Sequence, residues 1–157
     1  MKVKDVMRSD VLFVRPHWTV FDCAKIFEKN NISGAPVVDN GKVIGVVSLS
    51  DLIKFMGIKL MDANIIAEEP QSLTMLLMNL VKMGKDFVDF KKELERISKV
   101  LVKDVMSKYV VFIHPTANLW EAAKIMEDND VNRLPVILNG KLVGILARAD
   151  LVKTLLR

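Results

Sequence analysis

The chain has only one cysteine, Cys23, and two histidines, His17 and His114. A lone cysteine excludes an internal disulfide and any cysteine-based metal cluster. Neither histidine has a second ligand at helical spacing, so no metal site is expected. Long apolar runs are also missing. The richest, Leu73 to Val81, is interrupted by Thr74 and Asn79 and falls short of the roughly 20 residues that span a bilayer. No apolar core follows Lys2 and Lys4, so no export signal is expected, and the cytoplasm is the expected compartment. A strong charge of one sign is absent too. The net charge of +4 helps attract phosphates but forms no dense basic patch, which argues against nucleic acid as a partner. Catalysis requires a nucleophile with its base, a working pair of carboxylates or a metal, and no such set stands out. No catalytic residue is expected.

What the chain does have is a repeat. Residues 3–54 lie over residues 102–153 at a constant offset of 99 without a gap, and 22 of the 52 aligned pairs are identical. The lead-ins are both VKDVM, at 3–7 and 102–106, and APVVDNGKVIGVVSLSDLIK (35–54) faces LPVILNGKLVGILARADLVK (134–153). Such a match over an ungapped span marks a duplicated structural unit. The boundaries read as repeat 1 over 1–56, an insert over 57–100 and repeat 2 over 101–157.

Each repeat reads as β-α-β-β-α. Val11–Val14 and Val110–Ile113 are short β-rich runs closed by Pro16 and Pro115. Thr19 with Asp22, and Asn118 with Glu121, have the spacing of a helix N-cap and its reciprocal partner. The helices that follow place Val20, Ala24 and Phe27, or Leu119, Ala123 and Met126, on one face. Asn40-Gly41 and Asn139-Gly140 then join two apolar runs each, the strongest short-range hairpin signal. A closing helix starts near Ser50 and near Ala149. A unit of this size is marginal alone, so the two are expected to pack sheet on sheet about a pseudo-two-fold axis. The clefts left between them would suit small ligands.

The insert carries seven basic and seven acidic residues across 55–101, so the excess charge resides in the repeats. Gln71–Lys85 and Asp86–Lys99 each read as an amphipathic helix, with Gly84 between them. The pair forms a candidate packing lid or a docking surface for a second copy or a target protein.

The KDVM lead-in, NISGAPVVDNGKVIGVVSLSDL (31–52) and NRLPVILNGKLVGILARADL (132–151) together resemble the CBS (cystathionine β-synthase) family, as a stand-alone pair of domains. The resemblance covers all of both repeats and leaves the insert unexplained. It implies an α+β fold of two tandem CBS repeats, to which the periodicity of 57–100 adds a helical insert, and it implies a homodimer and a regulatory role. The implied ligands carry adenosine: AMP, ADP, ATP, S-adenosylmethionine or methylthioadenosine. The signal would pass to a separate target protein or through self-association. A scaffold with degenerate clefts, or a nucleic-acid-binding member of the family, is the alternative.

The family's Gly-x-x-Ser/Thr-x-x-Asp motif stands here as Gly45, Ser48 and Asp51. A carboxylate can accept two hydrogen bonds from a ribose diol, and a hydroxyl with free N–H groups at a helix start suits a phosphate. Read locally, the same residues would simply cap a helix. The second copy keeps Gly144 and Asp150 but has Ala147 in place of the hydroxyl, with Arg148 beside it. By resemblance, one cleft would combine Lys103, Lys108, Val131, Asn132 and Arg133 with Ser48 and Asp51. The other would combine Lys4, Ser9, Ile32, Ser33 and Gly34 with Ala147 and Asp150. Arg133 resembles the family's phosphate-contacting arginine, and Arg148 is a second candidate for a phosphate. The first cleft is therefore expected to be the tighter one for a phosphorylated nucleotide. Cys23 aligns with Ala122 and is expected to be a small core residue.

Overall fold

The computed structural model of the chain describes residues 1–62, 72, 75 and 87–156. The helix expected over 71–85 lies outside them, apart from Ser72 and Met75. A 3-10 turn, Val3–Asp5, opens the chain and is followed by α1 (Val20–Lys29), β1 (Gly34–Asp39), β2 (Lys42–Ser48) and α2 (Leu49–Asp62). Then come α3 (Phe87–Ser98), the short α4 (Val102–Val105), α5 (Leu119–Asp128), β3 (Arg133–Leu138), β4 (Lys141–Ala147) and α6 (Arg148–Leu155). Both repeats follow one plan of helix, hairpin and helix in a mixed α/β fold, and α3 fills most of the second helix expected in the insert.

Local chemistry explains these elements. At the start of α1, Thr19 Oγ1 accepts from the Asp22 N–H at 3.1 Å and Asp22 Oδ2 accepts from the Thr19 N–H at 3.1 Å, a complete capping box. The Thr19 hydroxyl, and then its backbone N–H, hold the Asp22 carboxyl below its ordinary value. At the start of α5, Asn118 Oδ1 accepts from the Glu121 N–H at 2.8 Å. Both helices end in the left-handed region, with Asn31 at φ 50° and Asp130 at φ 51°. The Asn31 and Ile32 N–H groups return to Glu28 and Phe27, and those of Asp130 and Val131 to Glu127 and Met126. That is the Schellman pattern, which satisfies carbonyls left over at a helix end. The hairpins turn on Asn40 (φ 49°) with Gly41 (φ 79°), and on Asn139 (φ 52°) with Gly140 (φ 79°). Two successive positive φ angles are the type I′ signature that matches strand twist.

Two sequence expectations need correction. The buried face of α1 is Val20, Cys23 and Phe27, and that of α5 is Ala122 and Met126. The core is selected by a step of three and then four, rather than four and then three, and Ala123 is exposed. The opening β runs are also single bridging residues, Val14 and Ile113, rather than strands. Ile113 pairs in parallel with Val136, donating to the Pro135 carbonyl at 3.1 Å and accepting from the Ile137 N–H at 3.0 Å. The next rung would need an N–H from Pro135, which proline lacks.

The chain divides into two compact units that interleave the repeats. The first comprises Met1–Phe13, Pro36–Gly45 and Lys108–Arg157. In it the sheet order β1-β2-β4-β3 is joined at the centre by Lys42 opposite Lys141, its own repeat equivalent. Strand β3 runs antiparallel to β4 from Arg133 opposite Ala147 to Leu138 opposite Lys141, with an irregularity between Val136 and Ile137. The core of this unit is Val3, Ile113, Ala122, Met126, Leu134, Val136 and Leu146. Val3 alone comes from the lead-in of repeat 1. Its N–H donates to the Ala117 carbonyl at 2.9 Å and that of Lys4 to Pro115 at 3.0 Å.

The second unit comprises Val14–Ala35 and Val46–Ser107. Here the lead-in of repeat 2 makes the matching contacts: the Val102 N–H donates to Trp18 at 2.8 Å and that of Lys103 to Pro16 at 3.0 Å. Helix α1 packs against α2, α3 and α4. Phe27, Leu52, Leu60, Ile97 and Val102 are fully buried. Each lead-in is thus docked on the body of the opposite repeat.

Cys23 is buried in α1, as its alignment with Ala122 suggests, and burial pushes its thiol up to about 12 from the ordinary 9.0. The folded chain keeps a proton there that the unfolded chain releases. This contribution to stability should be complete below pH 9.0 and lost as pH rises towards about 12. Urea midpoints between pH 7 and 11 are expected to fall more steeply for the natural chain than for Cys23→Ala, because only the natural chain carries the buried thiol. Parallel curves would refute this assignment.

Candidate functional site

The Gly-x-x-Ser-x-x-Asp segment ends β2 and opens α2. Ser48 and Asp51 form a reciprocal cap: Ser48 Oγ accepts from the Asp51 N–H at 3.1 Å, and Asp51 Oδ2 accepts from the Ser48 N–H at 2.9 Å. The local reading of these residues is therefore observed. It uses only one carboxylate oxygen, and no ion pair among the described residues involves Asp51. Oδ1 remains available to an incoming donor. Replacing an N-cap serine by alanine removes about 1 kcal/mol, so part of the motif's role is structural.

Around this helix start the second unit gathers several of the expected residues. The Ser33 carbonyl accepts from the Leu49 N–H at 2.8 Å, which lays residues 32–34 beside the cap. At Gly34 an added Cβ would sit 3.4 Å from the Val47 carbonyl oxygen and 3.7 Å from the Ser48 Cα, so the two strands are close there. The lead-in of repeat 2 reaches the same strand, with Ser107 and Val46 exchanging two 2.9 Å bonds. Lys103 is exposed on that lead-in. Ile32, Ser33, Gly34, Ser48, Asp51 and Lys103 all belong to this unit.

The first unit holds Lys4, Ser9, Lys108, Val131, Asn132, Arg133, Ala147, Arg148 and Asp150. Its helix start has half the cap: Asp150 Oδ2 accepts from the Ala147 N–H at 2.9 Å, and Ala147 has no hydroxyl to return. The Arg148 N–H donates to the Asn132 carbonyl at 2.9 Å, and its guanidinium reaches back to the Val131 carbonyl at 3.4 Å. The backbone ahead of each proline therefore lies beside the motif of its own repeat, and the lead-in is the part that crosses over. Arg133 begins β3 opposite Ala147 and is exposed, as are Lys4, Ser9, Lys108 and Asn132.

One charged residue here escaped the sequence reading. Arg8, on the lead-in of repeat 1, exchanges two 2.9 Å bonds with Ile145, as Ser107 does with Val46. Its Nε lies 3.5 Å from Asp150 Oδ2. The available signal was the mismatch of Arg8 with Ser107, the first after the identical VKDVM segments. Close approach of this lead-in depends on Gly144, where a Cβ would fall 2.5 Å from Met7 Sδ and 3.1 Å from the Arg8 carbonyl oxygen. His114 Nδ1 lies 2.7 Å from the Thr116 hydroxyl in a local turn. Among the described residues no helix is long and apolar enough to cross a membrane.

The CBS domain family model matches residues 3–58 and 102–157. An uncharacterized protein of Methanocaldococcus jannaschii, MJ1426, is 34% identical over 158 residues, covering 99% of this chain and 92% of that protein. The chloroplastic CBS domain-containing protein CBSX2 of Arabidopsis thaliana is 28% identical over 152 residues, which cover 96% of this chain and 60% of that protein. A crystal structure of CBSX2 in complex with AMP superposes with a TM-score of 0.67 at 25% identity, covering 99% of this chain and 96% of that one.

Proposed function

The chain belongs to the CBS domain family, and from that premise we propose that it is a non-catalytic, ligand-responsive module that binds an adenosine-bearing ligand at the Ser48–Asp51 helix start. AMP is the leading candidate, since CBSX2 was crystallised with it. The observation that carries the reading is the state of Asp51. Its Oδ2 is fixed by the Ser48 N–H at 2.9 Å, which orients the carboxylate, while Oδ1 is left for a diol hydroxyl. An anionic acceptor already held in place by the cap does not have to be ordered when the ligand arrives. The exposed Lys103 on the adjoining lead-in supplies positive charge for a phosphate. Regulation requires that the ligand prefer one of two states of the protein. The signal passes through self-association as a homodimer or to a separate target.

Titration calorimetry with AMP, ADP, ATP, S-adenosylmethionine and methylthioadenosine tests the reading. Asp51→Asn is the informative variant, because its amide oxygen can still accept from the Ser48 N–H and keep the cap. Its NH₂ then faces the ligand and cannot accept from a diol. Hydrogen bonds to a charged group contribute about 1.5–3 kcal/mol, so AMP affinity is expected to fall roughly 10- to 150-fold with the melting temperature little changed. Equal AMP affinity in the natural and Asp51→Asn proteins, or no AMP binding by the natural protein, would refute the proposal.

A further inference from the structure

The two helix starts carry the same aspartate, but their surroundings differ. Asp150 is only 13% exposed, and its Oδ2 takes both the Ala147 N–H at 2.9 Å and the Arg8 guanidinium at 3.5 Å. Arg8 is held where it stands: its backbone exchanges two 2.9 Å bonds with Ile145, and Met7 lies over Gly144. In the equivalent place the second unit has Ser107, bonded in the same way to Val46. No cation is paired with Asp51 among the described residues.

We propose that Arg8 is a specificity-determining residue that weakens the Asp150 helix start for a ribose diol by compensating the charge of the carboxylate that the diol would use. This rests on the reading of the Asp51 helix start as a ligand site and extends it to the second repeat. A diol hydroxyl is a neutral donor, and a guanidinium is a charged, pre-formed fork of donors that matches a carboxylate. The Arg8 Nε sits on Asp150 Oδ2, so a diol bonding to Oδ1 meets a carboxylate whose charge is already compensated. Arg8 is 60% exposed, so the pair is screened by solvent. Pairs of that kind shift an equilibrium by up to about fivefold. Arg8 therefore attenuates the second site and does not close it. Together with the hydroxyl missing at Ala147, it makes the two repeats unequal binders.

The test is made on the whole chain in the Asp51→Asn background, where remaining AMP binding reports on the second repeat. Equilibrium dialysis with AMP is expected to show R8S/D51N binding about fivefold more tightly than D51N, with R8K/D51N close to D51N because the charge is kept. Equal or weaker binding by R8S/D51N, or none by either protein, overturns the inference. Weaker binding would make Arg8 a phosphate contact instead. The reading of Asp51 is judged separately, by whether D51N weakens AMP binding in the chain that retains Arg8.

Discussion

Phe27→Ala should destabilise the protein by about 3–5 kcal/mol, the usual range for deleting a buried phenylalanine side chain. Phe27 is 2% exposed and stands on the buried face of α1 with Val20 and Cys23. Its carbonyl also accepts from the Ile32 N–H at 3.0 Å, so the residue anchors both the helix face and the turn into β1. Alanine leaves that backbone bond intact, and the expected loss comes from the lost burial and the cavity left behind. The repeat itself provides the control. Met126 occupies the equivalent place in α5 at 1% exposure, so Phe27→Met should cost below about 1.5 kcal/mol as a swap of similar volume. Chemical denaturation of the three proteins would decide the matter. A Phe27→Ala loss under about 1 kcal/mol would mean that the second unit closes over the space without difficulty.

Gly144→Val is expected to cost about 3 kcal/mol and to release the first lead-in. The new Cβ would meet Met7 Sδ at 2.5 Å, Met7 Cγ at 3.0 Å and the Arg8 carbonyl oxygen at 3.1 Å. A methionine side chain can swing aside. The Arg8 carbonyl cannot move freely, because it accepts from the Ile145 N–H at 2.9 Å in the same strand that carries the new side chain. Overpacking of this sort typically costs about 1–3 kcal/mol, and a branched side chain belongs at the upper end. If the lead-in lifts, Val3 leaves a core in which it is fully buried. Limited proteolysis should then cut within residues 1–10 of the variant while sparing the natural chain. Resistance equal to that of the natural chain would show that the strand absorbs the valine in place. Adding Met7→Ala should restore only part of the stability, since the clash with the Arg8 carbonyl persists.

Much of the architecture was legible because it is written in short-range chemistry, twice. The duplication, the Asn-Gly turns and the Thr19 and Asn118 caps all depend on residues a few positions apart. What stayed hidden depends on distant partners. Both lead-ins read VKDVM, so composition cannot say which body each one joins. The crossing emerges only from the bonds of Val3 to Ala117 and of Val102 to Trp18. The opening strands were overread because the β-rich runs are real, but Pro135 has no N–H to extend the ladder past Ile113. The Ser48–Asp51 motif was found, together with its capping role. Arg8 was not, since a lone basic residue in a lead-in acquires meaning only once its guanidinium is 3.5 Å from Asp150. The left-handed residues Asn31 and Asp130 were also missed; asparagine and aspartate tolerate that conformation well enough to serve at a helix end.

The exchange of lead-ins bears on how the chain can be assembled as it leaves the ribosome. Val3 is synthesised long before the groups that enclose it, Ile113 to Leu146. The first unit therefore cannot close until those residues have been made, and until then Val3 waits with its apolar side chain uncovered. The other body needs nothing beyond Ser107 and can close earlier. Contacts that span so much sequence form slowly, which gives this small protein an enforced order of folding from the middle outward.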